Sequence, residues 1–222
     1  MFKNIMRFWK GKDFLNQVLE DFKSMLNDAE SMFGMVIRRL LYNEGDLDTL
    51  KKEIYEIDSR VNKSEKEIRK RIIEHLSIQP SVDVPTSLLL MSVVKDAERL
   101  GDYSKNLFEV SKFLAEPIDK NKYKELFNNI DQEIAELFKD TKKAFLESDE
   151  DIAIASWNYE RQIAKRCDQI LEKLAKSNIS VNEAVCFTLI ARHFKRIAAH
   201  LTNIATSVVL PLSDLDYFDE SR

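Results

Sequence analysis

Glycine and proline are scarce, with four of each in 222 residues. So few breakers exclude a chain of many short strands joined by tight turns and leave long uninterrupted segments. Cysteine is nearly absent too. Cys167 and Cys186 lie in apolar-periodic stretches without Cys-x-x-Cys spacing, which argues against a disulfide framework and points to structural thiols in a reducing compartment. No run approaches eighteen uncharged apolar residues, so no membrane span is expected. Lys3, Arg7 and Lys10 interrupt the N-terminus where a secretory signal would need an apolar stretch, and a cytoplasmic location follows as the expectation. An excess of positive charge is also missing. With 34 Lys and Arg against 38 Asp and Glu, the net charge of −4 gives no general field for nucleic acid. Nucleophile-elbow, P-loop, dinucleotide and zincin motifs are absent, so no enzyme activity is expected.

What is present is a 44% hydrophobic, 32% charged chain rich in Leu, Ile, Lys and Glu, the composition of an all-α fold. The few breakers and the 3.6-residue periodicity place helices over residues 13–44, 47–77, 84–115, 120–147, 150–176 and 181–210. Asp46, Asp83 and Asp119 stand where N-caps belong, and Ser180 with Glu183 has the spacing of a capping box. At 1.5 Å per residue the longer helices run about 40 to 48 Å, and short connections make neighbours antiparallel.

The segment Val84–Leu107, "VPTSLLLMSVVKDAERLGDYSKNL", aligns without gaps on "VNEAVCFTLIARHFKRIAAHLTNI" from Val181, 97 residues later. Arg99 falls on Arg196, Asn106 on Asn203, Lys95 on Arg192 and Gly101 on Ala198. The preceding helices align at an offset of 95, "EKEIRKRIIEHL" from Glu65 over "ERQIAKRCDQIL" from Glu160. The chain therefore divides into a basic, aromatic segment (1–12), two antiparallel three-helix repeats (13–116 and 117–211) and an acidic tail (212–222). Small residues at Gly101 and Ala198 suggest close helix approach, since a helix-interior Gly otherwise costs roughly 1 kcal/mol relative to Ala. Within the first repeat, Glu98 and Asp102 project from one stripe. Two acids four residues apart repel, which calls for solvent, a base or a cation between them.

Paired third helices of the form Glu-Arg-x-x-Asp-x-x-x-Asn resemble those of the PhoU family. "ERLGDYSKN" matches closely, while "KRIAAHLTNIA" keeps Arg196, His200 and Asn203 but has Lys195 and Ala199 where acids belong. The resemblance implies a cytoplasmic, non-enzymatic regulator that associates with a phosphate transporter, either an ATP-driven importer or a permease, and with a phosphate-sensing histidine kinase. It also implies an iron or zinc cluster in the first repeat, carried over to Glu98, Asp102 and Asp58. None is implied at Lys195 and Ala199, because an ammonium and a methyl cannot ligate a metal and Ala153 takes the place of Asp58. Lys195 is expected to neutralise an acid such as Glu160.

Plainer readings stand beside these. Glu98 and Asp102 fit a solvated face paired with Lys95 and Arg99. Arg99, Asn106, Arg196, His200 and Asn203 fit helix-to-helix hydrogen bonds that fix the bundle. His75 and His193 lack the pattern of metal ligands, and Trp157, Tyr159 and the phenylalanines fit the core. Phe8, Trp9 and Lys10 in "MFKNIMRFWKGK" suit either an anionic membrane or partner surface, or a tail capping the bundle. A homodimer is compatible with the same fold. Two rival functions are a helical scaffold without a phosphate role and a ferritin-like di-iron protein, the latter disfavoured because no Glu precedes a His by three residues.

Overall fold

The computed structural model describes residues 13–215, and among these it is all-α. The helices are α1 (Asp13–Tyr42), α2 (Leu47–Ile78), α3 (Val84–Phe113), α4 (Lys120–Phe127), α5 (Ile130–Glu147), α6 (Glu150–Ala175) and α7 (Val181–Thr206), followed by a 3₁₀ turn at Leu212–Asp214. Phe8, Trp9, Lys10 and the end of the acidic tail lie outside the described residues.

Five of the six expected helices are continuous, and the fourth is not. Asn128 and Asn129 take left-handed backbone angles (φ 42° and 66°), which divide residues 120–147 into α4 and α5. Asn tolerates that conformation better than most residues because its short amide can bond locally. Tyr123 stacks on Phe127 at 4.6 Å and donates its hydroxyl to Asp131 at the start of α5, a bond that spans the break between the two helices. Caps explain most starts: Asp46 accepts from the Thr49 amide, Asp119 from those of Asn121 and Lys122, and Ser180 from that of Glu183. Asp83 differs. Its φ is 59° and its side chain does not cap α3; it lies 3.4 Å from His75 instead, and Pro85 opens the helix.

α1, α2 and α3 pack pairwise into one bundle, and α5, α6 and α7 into a second, with α4 against α6. α3 and α7 join the two bundles along their length. They run antiparallel: Asp96 meets His200 while Tyr103, further along α3, meets His193, earlier on α7. The 97-residue repeat is thus expressed as an approximate two-fold relation between central helices. Behind them α1 meets α5, where Phe22 lies 4.8 Å from Phe145 and Phe33 lies 5.6 Å from Phe138 and 6.1 Å from Phe194. These five rings are fully or almost fully buried.

Two packing expectations need correction. Gly101 is buried against Val61 of α2, yet a Cβ there would meet Val61 Cγ1 at 3.5 Å, an ordinary contact. The approach is close without requiring glycine. Trp157 and Tyr159 are half-buried rather than core, and Arg161 stacks over the Trp157 ring at 4.9 Å. Both thiols are free and buried, and burial pushes Cys167 up to about 12.

Candidate functional site

The first-repeat acids are brought to one place by α2 and α3. Asp58 projects from α2 beside Asn62 and toward α3, where Asp102 and Glu98 lie one turn apart. The group that joins the first two is Lys105. Its ammonium donates to Asp58 Oδ1 and Oδ2 at 2.9 and 2.8 Å and to Asp102 Oδ1 at 3.1 Å. Asp102 Oδ2 accepts from Arg99 Nη1 at 3.0 Å. Glu98 meets this network through Arg99, whose Nε lies 3.6 Å away. Burial, then the nearby Asp102 charge, push the Glu98 carboxyl above the ordinary range against the weaker opposing pull of Arg99. Lys105 is likewise raised: burial works against its charge, but the hydrogen bonds to Asp58 and Asp102 outweigh it.

Iron or zinc would need several of these oxygens at about 2.0 to 2.2 Å, facing an open coordination position. The oxygens present do not fit that requirement, since three of them are hydrogen-bonded to one ammonium. Among the described residues, no group of three or more His, Cys, Asp or Glu side chains is arranged to hold a metal ion.

The second repeat substitutes a different pair. Lys195, at the position aligned with Glu98, donates to Asp168 Oδ1 and Oδ2 at 2.8 and 2.6 Å. The neutralised acid is therefore Asp168 of α6, two turns beyond Glu160. Lys195, Asp168 and Glu160 line one open groove between α6 and α7.

The five motif residues separate into two groups. His200 Nδ1 lies 2.7 Å from Asp96 Oδ1, and Asn203 donates to the same oxygen at 3.3 Å. These two do tie helix to helix, across the seam between repeats. Arg99 bonds within its own helix instead, and Asn106 and Arg196 are exposed. Tyr103, which aligns with His200, stacks on the His200 ring at 5.5 Å and approaches His193 at 6.0 Å. Burial and the adjacent Arg192 hold His193 below its ordinary value.

Sequence reasoning missed Lys105, Asp96 and Asp168. Lys105 had a local signal, since it follows Asp102 by three residues and so shares its stripe. Asp96 and Asp168 had none, because their partners come from other helices.

Between the α3 edge that meets α2 and the edge that meets α7, one stripe stays accessible. Lys95 and Arg99 occupy it on α3, and their aligned equivalents Arg192 and Arg196 are exposed on α7. Exposed apolar residues flank the cations: Leu88 and Phe113 on α3, Val181 and Val185 on α7.

The PhoU domain model matches residues 22–110 and 127–208, covering both bundles. The phosphate-specific transport system accessory protein PhoU homolog 1 of Thermotoga maritima is 26% identical over 200 residues, spanning 86% of this chain and 79% of that one. A PhoU homolog of Clostridium acetobutylicum is 23% identical over 210 residues, spanning 85% and 92%. The crystal structure of PhoU from Pseudomonas aeruginosa superposes with a TM-score of 0.75 at 20% identity, covering 88% of this chain and 95% of that one. That of the phosphate transport system regulatory protein PhoU from Streptococcus pneumoniae gives 0.72 at 19%, covering 89% and 95%.

Proposed function

Since the chain belongs to the PhoU family, we propose that it is a regulatory accessory protein of phosphate transport that works by docking rather than by catalysis. The observation that carries this reading is the family match over both repeats, joined to relatives described as accessory proteins of a phosphate-specific transport system. The partner is the cytoplasmic face of a phosphate transporter, an ATP-driven importer or a permease, or the sensor histidine kinase coupled to it. Among the described residues no helix is long and apolar enough to cross a membrane, which suits a protein that attaches to such a partner from one side.

The accessible stripe on α3 and α7 is the docking face. Lys95, Arg192 and Arg196 place three exposed cations, beside the Asp102-paired Arg99, on a chain whose net charge is −4, and the apolar residues at the stripe's ends supply area that can be buried. A central charged zone sets register and rate of encounter, while flanking apolar side chains supply residence time. Phe8, Trp9 and Lys10 add a membrane-facing or partner-facing contact in the same assembly.

A tagged pull-down from detergent-solubilised host membranes, from cells grown with abundant and with scarce phosphate, tests the proposal. Mass spectrometry should recover a phosphate transporter or its kinase in a phosphate-dependent manner. The Lys95→Glu, Arg192→Glu variant, altered only at exposed positions, should lose most of that recovery. A folded bait that recovers neither partner under either condition would remove the docking reading and leave a helical scaffold.

A further inference from the structure

We propose that Lys105 is the resident cation of the first-repeat motif, standing where a divalent ion would have to be shared by Asp58 and Asp102, so that this motif is assembled without metal. The argument rests on hydrogen-bond geometry and is independent of the docking partner. A lysine ammonium has three N–H donors and no acceptor. Lys105 lies 2.9, 2.8 and 3.1 Å from three carboxylate oxygens, two on α2 and one on α3, so its donor capacity is filled. The three side chains are mostly buried, at 22% exposure for Lys105, 14% for Asp58 and 28% for Asp102, so the contact is shielded from the screening that makes surface pairs weak.

An ion coordinated by the same oxygens would stand beside the ammonium with a second positive charge in a partly buried site, a like-charge repulsion that favours one cation over two. The remaining oxygens are poor replacements. Asp102 Oδ2 is committed to Arg99, and Glu98 faces the same guanidinium, with Arg99 Nε 3.6 Å from its Oε2. In the second repeat Lys195 holds both oxygens of a single acid, Asp168, in a more exposed pair. Each half thus carries a covalently tethered cation, whose occupancy does not vary with metal supply.

Metal content and thermal unfolding of the full chain decide the matter. Protein produced in medium supplemented with iron and zinc should retain less than about 0.1 equivalent of either by mass spectrometry. Its Tm should not move with a chelator, zinc chloride or iron(II). Lys105→Met keeps the apolar stem and removes the charge, leaving two acids opposed across α2 and α3. A loss near 1 kcal/mol corresponds to a fall of about 2–4 °C in a chain of this size. Zinc should restore that Tm and remain bound at about one equivalent, and adding Asp58→Asn to the same variant should abolish the response. A wild-type protein that retains one equivalent or more, released by Asp58→Asn, would overturn the proposal, whether or not the Lys105 variant folds. So would a folded Lys105→Met protein that takes up no zinc.

Discussion

At the scale of the residue, identity alone misleads about which glycine is needed. Gly101 looks indispensable in the middle of a 30-residue helix, yet the space beside it accepts a methyl group at van der Waals contact with Val61. Gly101→Ala should therefore stabilise the protein by about 0.5–1 kcal/mol, the difference in helix cost between the two residues, measured by urea unfolding. Gly45, in the turn after α1, has open space around it but φ of 81°. Alanine there has room and the wrong backbone, so Gly45→Ala should destabilise by about 1–2 kcal/mol. Glu98 illustrates the same point for charge. Its carboxyl is raised above the usual 4.5 by burial and by Asp102, so the native state holds its proton over a pH interval in which the unfolded chain has released it. Stability conferred by this group is present below pH 4.5, falls as pH rises through the raised value, and stays lost above it. Glu98→Gln should be more stable than the wild type at pH 7 and indistinguishable from it near pH 4, as read from urea midpoints at the two pH values. If the variant were instead less stable at pH 7, the 3.6 Å approach to Arg99 would outweigh desolvation.

At the scale of the element, the legible features were those with a local cause. Apolar periodicity, scarce breakers and side-chain caps located the helices, and the 97-residue repeat located the paired motif helices before any contact was known. The break between α4 and α5 was hidden because Asn128 and Asn129 are neither Gly nor Pro and the apolar period continues through Phe127, Ile130 and Ile134. The site divides the same way. Asp102 was legible because it shares a stripe with Glu98 four residues earlier, and Asp58 came from the resemblance to the PhoU motif, whereas the pairing of Asp96 with His200 and Asn203 depends on the antiparallel register of α3 against α7, which sequence spacing does not encode. The break also supports a prediction of sign. Asn128 is held at φ 42° with its amide bonded to the Lys124 carbonyl, so Asn128→Ala should cost about 1–2 kcal/mol while Asn128→Gly should be tolerated. A stable Asn128→Ala protein whose far-UV circular dichroism showed added helix would instead mean that α4 and α5 can fuse, displacing Tyr123 from Asp131.

At the scale of the molecule, two repeats need not mean two independently stable units, and the ring contacts argue that they are one. Phe33 of α1 packs on Phe138 of α5 and Phe194 of α7, both from the other repeat. Phe22 meets Phe145, Lys142 reaches back from α5 to Asn27 and Glu30 of α1, and the Asp96 cluster closes the seam between α3 and α7. Apolar surface buried between the halves stabilises neither half alone, so unfolding one exposes the other's core. Phe33→Ala removes a ring that is 2% exposed and leaves a void walled by both repeats. A loss of about 3–5 kcal/mol is expected. The diagnostic measurement uses Trp157, which with Trp9 makes up the chain's two tryptophans and lies in the second repeat. In a Trp9→Phe background, fluorescence of Trp157 reports that repeat alone while far-UV circular dichroism reports all helices. With a shared core the two transitions coincide in urea, and Phe33→Ala, a substitution in the first repeat, shifts both by the same amount. Independent halves would leave the Trp157 midpoint where it was, and the seam would then be an interface between two domains rather than the middle of one.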